Sequence, residues 1–126
     1  MFYTRLQLEA SDAADEWVVM APLVWHDARF GWLAVPEGTT TDLASIPRRF
    51  RDWRVFDPNG PSRRPAVMHD WLYADGTHGK DFADEFLRDA LKVEGISPAG
   101  AAAYYYAVRW FGGPAWRGHR VNSRGP

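Results

Sequence analysis

The sequence predicts an α+β fold: a small N-terminal antiparallel sheet of three or four strands, packed by three C-terminal helices. Two patterns predict it. Through the first third, apolar and polar residues alternate among β-formers, and after residue 62 apolar residues recur at helical spacing. Proline, glycine and aspartate clusters separate the segments, and helices on one face of a sheet are the simplest way to bury all these stripes.

The strands are Phe2–Leu8, Trp17–Met20 with Leu23–Trp25, and Phe30–Val35. Turns are expected at Ser11–Asp15 and His26–Arg29. Pro22 interrupts the second run and marks an edge or a bulge, because proline cannot donate to the ladder. Pro36-Glu37-Gly38 closes the sheet. Thr39 to Pro47 is a polar loop leading into Arg48-Arg49-Phe50-Arg51-Asp52-Trp53, about one helical turn. Asp57-Pro58-Asn59-Gly60-Pro61 is a strong breaker.

The first helix runs from Ser62 or Pro65 to Ala74 and ends at Gly76-Thr77-His78-Gly79. The second spans Asp81 to Glu94, with Phe82, Phe86, Ala90 and Val93 at helical spacing and Gly95 as its stop. The third has an explicit start, because Ser97 can cap free amides and Pro98 takes the first helical position, where its missing N–H costs nothing. It continues to Phe111, and Gly112-Gly113-Pro114 ends it. Residues 1–116 are read as one domain, and 117–126 as a loosely held basic tail.

At 126 residues, 46% hydrophobic and with seven Trp, the chain supplies one core and not two. Zero Cys excludes disulfides and thiolate sites, so any metal must be held by carboxylate, imidazole or carbonyl. Net charge is -1, which provides no global basic field, and nucleic acid is not an expected partner. No apolar run reaches the roughly 20 residues of a membrane span, and the start lacks a signal-peptide pattern. The chain is therefore expected to be made in the cytoplasm.

Charge is distributed in blocks. Residues 1–47 carry two bases against seven acids, 48–64 six Arg against two Asp, and 95–126 four Arg and no acid. Such blocks pair within a fold or steer docking onto a larger assembly. Arg48, Arg49 and Arg51 beside Trp53 form one candidate binding surface, and Tyr105 within the Tyr104-Tyr105-Tyr106 run forms another.

The chemistry-bearing stretch is Ala66-Val67-Met68-His69-Asp70-Trp71-Leu72-Tyr73. His69 and Tyr73 are four apart and share a helix face, while Asp70 turns away by about 100°. Apolar neighbours predict that the pair is partly buried and needs partners, which Asp84 and the Thr41-Asp42-Ser45 loop can supply. Three readings are open. A carboxylate-held imidazole is a general base. Asp42, Asp70 and Asp84 offer oxygens suited to calcium or magnesium. Alternatively, His69, Tyr73 and Asp84 form an inter-helix hydrogen-bond network with no chemistry.

Four blocks carry a family resemblance: Thr41-Asp42-Leu43-Ala44-Ser45-Ile46-Pro47-Arg48, the His69 helix, Ala83-Asp84-Glu85-Phe86, and Tyr106-Ala107-Val108-Arg109-Trp110-Phe111-Gly112 with Trp116. Together they resemble the domain of unknown function 1353 family over nearly the whole chain. The resemblance implies a bacteriophage or prophage setting. It fits an accessory or virion-associated structural protein with protein partners in the particle or host, able to form oligomers. More locally, His69-Asp70-Trp71-Leu72-Tyr73 followed by Asp84 resembles the site of phospholipases A2. That likeness implies His69 as base, Asp70 as metal ligand, and Asp84 with Tyr73 as the pair orienting His69. It implies a small, metal-assisted hydrolase acting on lipid or the cell envelope during entry or lysis. The chain departs from the phospholipase pattern in lacking disulfides and a glycine-rich calcium loop.

Overall fold

The computed structural model describes residues 1–13, 16–41 and 61–123. Among the described residues, five short strands precede four helices: β1 (Leu8–Ala10), β2 (Trp17–Val19), β3 (Leu23–Asp27), β4 (Gly31–Val35) and β5 (Thr40–Thr41), then α1 (Arg63–Asp75), α2 (Lys80–Val93), α3 (Pro98–Phe111) and α4 (Gly113–Ser123). The α+β class is as expected. Asp42, Ser45, Arg48, Arg49, Arg51 and Trp53 lie outside the described residues.

The strands form two sheets where one was expected. One is ordered β1-β2-β5, with Leu8 opposite Val19 and Trp17 opposite Thr41; the other is the hairpin β3-β4, with Leu23 opposite Val35. The division falls at Pro22, which has no N–H to continue a ladder. Thr4 bridges the break: its hydroxyl donates to the Pro22 carbonyl at 3.1 Å and accepts from the Val24 N–H at 2.9 Å. Instead of a full strand over Phe2–Leu8, the N-terminus lies along β3, with Phe2 bridged to Trp25 and the Tyr3 N–H donating to the Val24 carbonyl at 2.9 Å. β3 also extends through His26 and Asp27, two residues into the expected turn.

Alternation in β3 buries Leu23, Trp25 and Asp27 and leaves His26 exposed. The inward residues meet α1 and α2 in the larger core, where Trp25 packs edge-on against both Phe2 (centroids 4.8 Å apart) and Phe86 (5.2 Å). The opposite side of α2 carries Leu87 and Leu91 into a second cluster with Ala101, Tyr104, Ala107 and Val108 of α3. α2 is thus covered from two sides. A carboxylate on it can therefore be fully enclosed.

Helix starts and stops follow local chemistry. Ser97 accepts from the Gly100 N–H at 3.1 Å and Pro98 opens α3, as the sequence predicts. Gly76 ends α1 at φ 75°, a left-handed position that suits glycine. The expected loose tail begins instead as α4. Gly113 and Pro114 open this helix, and a proline in the first turn gives up no intrahelical bond.

α4 is held from outside. The Arg120 guanidinium donates to the carbonyls of Tyr73 (2.5 Å) and Ala74 (2.9 Å), satisfying free acceptors at the end of α1, and stacks on its own Trp116 at 4.3 Å. A side chain at position 76 would overlap that guanidinium.

Candidate functional site

α1 presents His69 and Tyr73 one turn apart on its buried face, among Val67, Met68 and Leu72. α2 places Asp84 opposite them, because Phe82, Ala83, Phe86 and Ala90 fix that face of α2 against the sheet and α1. The three polar side chains meet inside the core. His69 is 1% exposed and Asp84 and Tyr73 are 0% exposed.

Asp84 organises the cluster. Its Oδ1 lies 3.0 Å from His69 Nε2 and accepts the Tyr73 hydroxyl at 2.7 Å. Its Oδ2 accepts from Lys80 Nζ at 2.7 Å. Burial alone raises a carboxyl pKa, but the bonds from His69, Lys80 and Tyr73 outweigh it and hold Asp84 below the usual carboxylate range. Burial, together with the adjacent Asp84 carboxylate, pushes the Tyr73 phenol far above its ordinary value, so it remains a donor.

An ionised carboxylate has no proton to give. His69 Nε2 must therefore carry one and donate it, and in the neutral form of the ring the lone pair is then on Nδ1.

Further contacts hold Tyr73 in place. Its ring lies 4.3 Å from that of His69 and takes Trp116 edge-on at 5.3 Å. Gly112, between α3 and α4, lies against it: a Cβ there would sit 2.5 Å from both the Tyr73 hydroxyl oxygen and the Val108 carbonyl oxygen. Gly112→Ala is accordingly expected to cost about 1–3 kcal/mol by overpacking and to push Tyr73 off Asp84. A shift in the denaturation midpoint and loss of the protected Tyr73 hydroxyl signal in NMR check this.

Asp70 points elsewhere. It is half-buried, and its Oδ2 accepts the Thr41 hydroxyl at 2.6 Å. Thr41 is thus one of the loop partners expected for this pair, while Asp42 and Ser45 lie outside the described residues. Among the described residues no three His, Asp or Glu side chains come together as a cation cage. Both oxygens of Asp84 are committed to protein donors, with Lys80 supplying the positive charge. The described residues alone thus do not fit calcium or magnesium.

The other predicted surface residue, Tyr105, is half-buried with the Arg88 guanidinium 4.8 Å from its ring centroid. The exposed aromatics near it are Tyr106 and Trp110, 50% and 70% exposed, with Phe111 beside them. His26 stacks edge-on with Trp32, and His78 lies between Phe30 and Phe82. Lys80 was missed by sequence reasoning, which starts the second helix at Asp81. Its spacing of four from Asp84 was the available signal.

Fold and site together define a small α+β domain built around an enclosed His-Asp-Tyr-Lys cluster. The chain belongs to the family described as Protein of unknown function (DUF1353), whose family model matches residues 17–108. No match was found among curated proteins or among solved structures. Among the described residues, no helix is long and apolar enough to cross a membrane.

Proposed function

We propose that the protein is a small hydrolase in which His69 is the general base. The observation that supports this most is the carboxylate of Asp84, kept ionised in the core and bonded to His69 Nε2, because such a carboxylate orients an imidazole and favours the neutral tautomer in which Nδ1 is the base. In the proposed step, Nδ1 takes a proton from water as the water oxygen attacks an ester carbonyl or phosphoryl centre. The imidazolium formed is stabilised by Asp84 and returns the proton to the departing oxygen. Tyr73 and Asp84 orient the base and do not touch substrate. At 1% exposure the imidazole is closed to bulk solvent, so turnover requires an opening that admits the substrate.

In the phage or prophage setting that the family likeness implies, the natural target is the cell envelope or its lipid, during entry or lysis. The test is incubation of the purified protein with short- and long-chain aryl esters, phospholipid vesicles and peptidoglycan sacculi. Turnover of one of these, reduced at least about 100-fold in a folded His69→Asn variant, is the expected result. Equal turnover by that variant, or none by the wild type on any probe, overturns the proposal.

A second reading is favoured by α3. Of its fourteen residues only Arg109 is charged, and its outer side exposes Tyr106, Trp110 and Phe111. Such a face suits an accessory or virion-associated protein that docks onto a particle or host component. Stoichiometric presence in purified particles supports this role, and absence from them counts against it.

A further inference from the structure

We propose that Lys80 is a positioning residue for the His69 base: its ammonium, held between Asp84 and the end of α3, locks the carboxylate with Oδ1 turned to the imidazole. The inference rests on the reading of His69 as a base and adds to it the residue that fixes its orientation. An ammonium has three N–H groups. Those of Lys80 have three acceptors: Asp84 Oδ2 at 2.7 Å, the Val108 carbonyl at 3.1 Å and the Arg109 carbonyl at 3.4 Å. The two carbonyls belong to the last turn of α3, the negative end of that helix, where a cation is favoured.

The placement runs against the preference of its own helix. Lys80 is the first residue of α2, the positive end, where a lysine is disfavoured. Capture by Asp84 and α3 offsets that cost. Without this anchor the carboxylate can twist about its Cβ–Cγ bond and carry both oxygens out of line with His69 Nε2. With it, Oδ2 is occupied and Oδ1 alone is left to His69 and Tyr73. The tautomer of the base is thereby tied to the C-terminal end of α3.

NMR of the imidazole nitrogens and their protons, recorded above the pH at which the ring titrates, tests this directly. In the wild type a single, slowly exchanging Nε2–H is expected. Lys80→Met is expected to speed exchange of that proton with water on the order of tenfold and to add signals of the Nδ1–H tautomer. Lys80→Arg is expected to restore the wild-type pattern. A melting temperature lowered in Lys80→Met with tautomer and exchange unchanged would show that Lys80 only neutralises a buried charge, and overturns the proposal.

Should Lys80→Met not fold, Lys80→Gln is read in the same way. The wild type also decides alone: protected ammonium protons on Lys80 are expected, and exchange as fast as that of an exposed lysine overturns the proposal. Where turnover of a probe is found, kcat falls in Lys80→Met and KM holds. Absence of wild-type turnover would remove the hydrolase reading and leave the positioning of His69 to be judged by NMR.

Discussion

Asp84→Ala is expected to lose about 3–5 kcal/mol of stability, because it leaves an imidazole, a phenol and an ammonium facing a hole with no acceptor. All three donors now end on that one carboxylate. Asp84→Asn keeps the volume but brings an N–H₂ group into a ring of donors, so it is expected to lose nearly as much. Urea denaturation of both variants checks the size of the loss. A cost under about 1 kcal/mol for the alanine variant would mean that the cluster is loosely held.

The same carboxylate sets a pH response. Its pKa is lower in the folded protein than in the unfolded chain, so its contribution to stability is complete above the unfolded value of about 3.9. That contribution is lost as pH falls from there through the folded value. Asp27 acts in the same window: burial raises its pKa, but the backbone N–H and guanidinium of Arg29 and the Trp25 indole more than offset this. The diagnostic is therefore the difference in slope of melting temperature against pH between wild type and Asp84→Asn, with the variant flatter on the acid side.

Phe86→Ala is the second large effect, at about 3–5 kcal/mol. Phe86 is fully buried and touches three rings edge-on or tilted: Trp25 at 5.2 Å, Phe2 at 6.4 Å and Phe82 at 6.5 Å. It joins the β3-β4 hairpin and the N-terminus to α2, two residues beyond Asp84. Its removal is expected to weaken the sheet-helix contact while leaving the α2-α3 cluster in place, since Leu87 and Leu91 face the other way. Hydrogen exchange that rises in β3 and β4 more than in α3 is the expected pattern.

The helices were largely legible because their determinants are local. Ser97 and Pro98 mark a start, and Phe82, Phe86 and Ala90 mark a buried face, which brings Asp84 to His69 and Tyr73. The arrangement of β-strands was less legible. The division at Pro22 depends on Thr4, eighteen residues away, filling both sides of the break.

α4 was hidden for the same reason. Gly113-Pro114 reads as a stop, yet the helix after it is secured by Arg120 on carbonyls of α1 and by Trp116 on Tyr73. Lys80 finds acceptors 28 and 29 residues along the chain, at a helix end whose position only the fold creates. Asp70 was legible as a residue in need of a partner, and Thr41 is one.

The most direct measurement is ¹⁵N NMR of the wild-type imidazole at position 69, above its titration. A ring protonated on Nε2, coupled to a low-field proton that Asp84→Asn abolishes, is the expected result. A ring protonated on Nδ1 would contradict the assignment of Asp84 as the acceptor for Nε2, and with it the proposal that His69 is a base.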